Sequence, residues 1–213
     1  MLRKSAVKAA CVMFGCTLVA FIQGAARPDQ RMGPKNVNEL LTALGRAAAG
    51  LQDYEVKGTT DSNGKSEGFT KYYKRPGLVR IDTREGQVSV QPNGDIRGRL
   101  GHGLFGHFSR KLDRDDHRLK DDQGIAFYEG SFPATIARIR TRIKSGAVAA
   151  MKGSRDKYYL TVRSGDTIWR YAFSRSHLMP LWSSRWVNGK SVDVTRYLET
   201  RTNIGLKTDL FRF

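Results

Sequence analysis

The sequence predicts an α+β domain in which a strongly curved or partly closed antiparallel sheet carries two helices on one face. Three observations support this. Two segments, one starting at Asn36 and one near Ser131, repeat apolar residues at three- and four-residue steps. About ten segments alternate apolar and polar residues at period two, with Asn-Gly and other short Gly turns between them. Within each strand group no helical pattern separates successive strands, as parallel pairing would require. A sheet of this many strands curves or closes more readily than it stays flat.

The chain opens with Arg3, Lys4 and Lys8, followed by an uncharged apolar run from Ala9 to Ile22. That run is shorter than the roughly 20 residues a membrane span needs, and it closes on the small residues Gly24, Ala25 and Ala26. Residues 1–26 therefore read as a signal peptide cleaved after Ala26, with an uncleaved anchor as the alternative. Cys16 raises a third fate, lipid modification, but Met13-Phe14-Gly15 before it does not match the small-residue pattern of such sites. Both cysteines, Cys11 and Cys16, lie in this segment. Cleavage would remove every thiol, and with them disulfides, thiolate nucleophiles and cysteine-metal sites.

The chain holds 37 Lys and Arg against 20 Asp and Glu; losing Arg3, Lys4 and Lys8 leaves a formal charge of +14. Such a surplus favours anionic partners. Nucleic acid is not expected among them, because the basic residues are scattered rather than gathered into one stripe. A membrane-proximal surface and ordinary solvation both remain open.

Residues 27–35, with Pro28, Gly33 and Pro34, read as a flexible lead-in to one domain over 36–213. The first helix places Val37, Leu40, Leu41, Leu44, Ala48 and Leu51 on one face, and Glu39 stands three places after Asn36 in a capping-box arrangement. Strands follow at 54–60, 68–74, 78–83, 87–91, 95–100 and 104–110, then a charge-dense loop at 112–122. The second helix, starting near Ser131 with Pro133 in its first turn, puts Phe132, Ile136, Ile139 and Ile143 on one face. Gly146 is its expected stop. Its other face carries Arg138, Arg140, Arg142 and Lys144, which either rest on an anionic membrane surface or are solvated while the isoleucines cover the sheet. Four more strands are expected at 157–163, 166–174, 179–186 and 190–199.

The late strands concentrate large apolar groups on one alternating face: Trp169, Tyr171 and Phe173 in one, Val192, Val194 and Leu198 in another. Val79, Ile81, Val88, Val90 and Phe105 extend that face in earlier strands. Two amphipathic helices must share it. They either fill it completely or leave an apolar pocket beneath them.

The run Gly68-Phe69-Thr70-Lys71-Tyr72-Tyr73-Lys74-Arg75-Pro76-Gly77-Leu78-Val79-Arg80-Ile81 resembles the early strand pair of the periplasmic lipoprotein-carrier (LolA/LolB-like) superfamily. The order of leader, helix, meander, helix and further strands fits as well, as does a closing segment from Asn203 to Phe213. Residues after Val90 depart from the pattern by lacking an aromatic-rich strand. The resemblance implies a half-open barrel with helices covering its concave face as a lid, in the periplasm, probing no covalent chemistry and using no cofactor. Its apolar cavity would hold acyl chains of a lipoprotein or another lipid, in a monomer. Arg75 matches the family's lid-closing arginine, and Arg75, Val79, Ile81, Trp169, Tyr171 and Phe173 are the expected ligand-binding residues. An envelope sensor of the same fold, docking a protein partner, is the alternative function.

An enzyme is not expected. His102 and His107 stand five apart, on opposite faces of a strand, and with His117, Asp113, Asp115 and Asp116 they give no His-x-His or His-x-x-x-His metal spacing. A hydrolase built on His102, His107 or His117 is the outlying alternative.

Overall fold

The chain divides into Met1–Arg31 and Met32–Phe213. A computed structural model describes residues 33–62, 64–100, 109–116, 119 and 130–212, all within the second unit. The leader, its cleavage site and the histidines at 102, 107 and 117 lie outside the described residues.

Helix α1 (Val37–Gly50) begins as its sequence dictates. The Asn36 side chain accepts from the Glu39 amide at 3.0 Å and donates to the Glu39 carboxylate at 2.8 Å. This cap satisfies the Glu39 amide, one of those that the first turn leaves without a helical partner. Leu40, Leu41, Leu44 and Ala48 form the buried stripe.

One eleven-stranded sheet follows. A first meander runs through β1 (Asp53–Ser62), β2 (Lys65–Lys74), β3 (Leu78–Thr83), β4 (Gly86–Val90), β5 (Ile96–Leu100) and β6 (Arg110–Leu112). Helix α2 (Phe132–Lys144) comes next. A second meander returns through β7 (Val148–Gly153), β8 (Lys157–Ser164), β9 (Thr167–Ser174), β10 (Pro180–Val187) and β11 (Lys190–Thr202). All neighbours are antiparallel, and β11 pairs with β1, so the two meanders join at the centre and β6 and β7 form the edges. The sheet is therefore not closed, in keeping with a half-open barrel. The β10–β11 hairpin turns on Asn188-Gly189, both at positive φ (51° and 75°), the two-residue geometry that suits the strand twist.

Two expectations need correction. No strand is expected from the sequence at Val148–Gly153, yet β7 forms there. Its Ala, Lys and Gly residues have weak strand preference, and it is held as an edge by β8 alone. The expected inner face of β11 is also inverted. Lys57 pairs with Glu199 but Gly58 pairs with Tyr197, so Leu198 is the extra residue of a bulge and is 69% exposed. The register puts Val194 on the outer side and Asp193, Thr195 and Tyr197 on the same side as the buried Gly58, and Val192 is left unpaired at a second register shift, opposite Arg185 and Trp186.

The main core joins both helices to β1, β2, β8 and β9 through Leu40, Leu44, Val56, Tyr73, Ile136, Ile139, Leu160, Val162 and Phe173. A smaller cluster of Val88, Val90, Ile96, Leu112 and Leu119 fills the β4–β6 side. On the outer side the chain after β11 is strapped down: the buried Asp53 carboxylate accepts the Ile204 and Leu206 amides at 2.7 and 3.0 Å, and Lys74 donates to the Leu206 carbonyl at 2.8 Å. The closing 3-10 helix, Thr208–Phe211, buries Phe211 fully. Asp53→Ala should cost about 2 kcal/mol, since two charge-assisted bonds vanish and two amides are stranded. Denaturant unfolding checks this, with the C-terminal segment expected to become the first protease-sensitive site.

Candidate functional site

The inner face of the sheet is roofed by α1 and α2, and buried polar contacts fix the roof in place. At the start of α2 the Phe132 amide donates to the buried Tyr54 hydroxyl at 3.0 Å. Burial pushes the Tyr54 phenol well above its usual range, so it stays a neutral acceptor. The Phe132 ring lies 6.5 Å from Phe173. The two helices are tied by Arg140, which donates to the Leu41 carbonyl at 2.8 Å. Its guanidinium occupies the space a side chain at Gly45 would fill, so glycine there permits the close approach.

Arg75 stands where a latch on this roof would stand. Its guanidinium donates to the carbonyls of Ala48 and Ala49 in the last turn of α1. The Ala48 carbonyl also accepts from the Leu51 amide at 3.4 Å, and both carbonyls lie at the negative end of the helix dipole, so a cation there is favoured. The peptide between Arg75 and Pro76 is cis.

The other expected site residues divide. Trp169, Tyr171 and Phe173 share the inner face of β9, with the Tyr171 and Phe173 rings stacked 6.1 Å apart. Val79 joins them in the main core, whereas Ile81 packs against the β4–β6 cluster and is not brought to the others. Phe173 is 0% exposed and Tyr171 7%, so α2 covers this wall in the described arrangement.

Sequence reasoning missed the polar centre of the same face. Lys71 lies on the Phe69, Tyr73 side of β2, opposite the buried Val56 of β1. It is partly buried, and its ammonium donates to the Gly130 carbonyl at 3.3 Å. Arg185 of β10 pairs with Asp193 of β11 at 2.7 Å, with the arginine side chain 11% exposed. The basic residues of α2 do not form one solvated stripe. Arg142, four residues after Arg138, reaches the sheet, where it donates to the Tyr171 hydroxyl at 3.1 Å and lies 3.9 Å from the Trp169 ring centre. Arg140 is taken up by α1, and Lys144 remains exposed. The signal available in sequence was the period-two position of Lys71 and the helical spacing of Arg138 and Arg142.

Burial lowers the affinity of Lys71 and Arg142 for their protons. Desolvation, reinforced by the Arg138 charge, pushes Lys71 down to about 8. Arg142 is lowered chiefly by burial, while burial raises the phenols of Tyr171 and Tyr197. Among the described residues no three His, Cys, Asp or Glu side chains are grouped to hold a metal ion. No described helix is long and apolar enough to cross a membrane.

No family model and no curated protein matches the chain. Among solved structures it is similar to MucB, at 13% identity and a TM-score of 0.49, over 83% of this chain and 62% of that one. It is similar to the MucA/MucB complex of Pseudomonas aeruginosa, at 15% identity and 0.46, over 82% and 60%. It is also similar to a LolA superfamily protein from Nitrosomonas europaea, at 11% identity and 0.37, over 84% and 99%. The chain thus spans about three fifths of the MucB structures. The expected likeness to the lipoprotein-carrier superfamily is met among solved structures as a likeness of fold, too distant to carry a functional argument.

The Lys71 shift has a signed consequence. Between about 8 and the ordinary value of 10.5 the unfolded chain binds more protons at this site than the folded one, so folded stability rises with pH across that window. Wild type should therefore gain stability relative to Lys71→Met between pH 8 and 10, measured by parallel denaturant titrations in which the tyrosine contributions cancel. A flat difference would contradict the burial of this ammonium.

Proposed function

We propose that this chain is a non-enzymatic periplasmic binding protein that holds acyl chains of a lipoprotein or lipid between the concave sheet and its two-helix roof. The observation that carries this reading is the Arg75 contact: a cationic side chain at a β-turn grips the end of α1 through two carbonyls. A latch of this kind is reversible, because it consists of side-chain bonds to a helix end rather than of buried apolar packing. Behind it lies an apolar wall, Trp169, Tyr171, Phe173 and Val79, which packs in one core with α2. Each methylene buried there would contribute about 0.8 kcal/mol, so one acyl chain suffices for useful affinity. Ile81 packs beside a different cluster and is not part of this wall.

The reading includes export. The leader would be removed after Ala26, leaving 27–35 as a lead-in to one domain that acts as a monomer. N-terminal sequencing of the protein recovered from the periplasm should begin at Arg27, and an intact leader would instead favour a tethered receptor.

One feature favours a second reading, in which the same fold docks a protein partner. Strand β7 presents one ladder edge to no strand of the described sheet, and Val148 on it is 71% exposed. Edges of this kind accept an added strand. The partner would then be captured by delipidated protein, and Val148→Pro would abolish capture while leaving acyl binding intact.

For the carrier reading, Arg75→Leu should weaken the roof by about 1–3 kcal/mol and speed entry of a fluorescent fatty acid in stopped-flow mixing. Unchanged entry would remove Arg75 from the role of latch. Protein that neither carries lipid by mass spectrometry nor binds such a probe would overturn the carrier reading itself.

A further inference from the structure

The outer side of the sheet is used unequally. On the first meander, Asp53, Lys74, Arg80 and Gln91 bind the segment that follows β11. Among the described residues, no hydrogen bond or ring contact joins a helix or that segment to the outer positions of β7 to β10. Register fixes which side chains stand there. Because Tyr171 and Phe173 face the helices, Ile168, Arg170 and Ala172 face outward, and Trp186, Ser184 and Trp182 of β10 lie opposite them on the same side. Arg163 of β8 follows opposite Ile168, and Val148 of β7 opposite Arg163. Lys152 lies on this side too, opposite Tyr159. Val148 is 71% exposed, and Lys152, Arg163 and Arg170 are exposed as well. Trp186 donates its indole N–H to the Ser184 hydroxyl at 3.2 Å and has the Arg170 guanidinium 5.2 Å from its ring centre. With that donor satisfied within the sheet, the rest of its ring is apolar surface. The outer positions of these four strands include Lys152, Lys157, Arg163 and Arg170 and no Asp or Glu. Lys157 bridges Asp156 at 3.7 Å, whereas Lys152, Arg163 and Arg170 have no carboxylate partner among the described residues.

We propose that the outer face of β7 to β10 is the surface by which this protein rests on an anionic lipid bilayer. Trp182 and Trp186 sit at headgroup level, and Lys152, Arg163 and Arg170 meet lipid phosphates. Charge complementarity carries the argument, since each basic residue held near an anionic surface strengthens binding by roughly fivefold. The aromatics select a bilayer over an acidic protein. Indoles favour the membrane interface, which offers phosphate and apolar surface at nearly the same depth. A protein interface instead tends to gather apolar groups at its centre with charges on its rim. Here Arg170 lies over the Trp186 ring and Val148 stands opposite Arg163, so the two kinds are interleaved. The arginines of α2 are poorly placed for the same task, because Arg140 and Arg142 are bound to the Leu41 carbonyl and the Tyr171 hydroxyl. This bilayer surface is independent of acyl binding beneath the helices.

The test is cosedimentation of protein recovered from the periplasm with vesicles of phosphatidylcholine, alone or mixed with phosphatidylglycerol. The protein should bind the mixed vesicles, ignore the neutral ones and dissociate as salt is added. Lys152→Gln combined with Arg163→Gln should weaken partitioning by about tenfold or more at an unchanged melting temperature. Lys35→Gln combined with Arg46→Gln removes the same charge from exposed positions before and within α1. It should alter partitioning by about twofold at most, because the surface potential decays within a Debye length. Mixed vesicles with brominated acyl chains should quench tryptophan emission, and Trp182→Phe combined with Trp186→Phe should remove most of that quenching. Equal binding to both vesicle types, or equal losses in the two charge variants, would overturn the proposal. Binding without quenching would do so too, as would quenching retained in full without Trp182 and Trp186. That last result would come from Trp169 and report lipid entering beneath the helices, so the acyl reading stands or falls separately.

Discussion

The placement of α2 is the constraint on which the rest of this structure depends. Its first amide is committed to the Tyr54 hydroxyl and its first aromatic ring to Phe173, so the helix is set on the inner face of the sheet. Once Phe132, Ile136 and Ile139 are buried, the 3.6-residue period leaves Arg142 beside them, reaching the sheet rather than solvent. The same placement brings Arg140 over Gly45 and ties the two helices to each other. Roof, wall and buried cations are thus consequences of one docking geometry.

That geometry contains an opposition. Apolar packing holds the helices on the sheet, whereas Lys71 and Arg142 beneath them are poorly solvated. A protein selected for stability alone would replace Lys71 with an apolar residue of similar size. The latch at Arg75 and the pin at Tyr54 lie at the same end of the β1–β2 pair, where Asp53 faces Lys74 and Tyr54 faces Tyr73; one holds the last turn of α1 and the other the first turn of α2. Their characters differ: the pin is buried, and the latch is partly open to solvent. In the proposed carrier, the solvent-facing Arg75 contact is the one that would release first.

Much of the fold was legible in the sequence because it depends on local chemistry. Asn36 and Glu39 announce their cap, Asn188-Gly189 its turn, and the isoleucines of α2 its buried stripe. What was not legible depends on pairing between distant strands. Leu198 follows the apolar alternation of β11 faithfully, and only the bulge opposite Lys57 and Gly58 turns it outward. Strand β7 has almost no propensity signal, since its neighbour β8 supplies the ladder. The site divides in the same way. Arg75 stood out through its local Arg-Pro turn, and the aromatics of β9 through their alternation. The cations did not, because the sequence holds so many lysines and arginines that the few reaching the inner face are distinguished only by register and helix phase.

Amide hydrogen exchange of the full chain, with and without a saturating fatty acid, would test the central claim most directly. An acyl ligand beneath the roof should slow exchange in α2 and along β8 and β9 while the outer C-terminal segment stays unchanged. Exchange that is identical in both states, or protection confined to the β7 edge, would contradict a ligand site on the concave face.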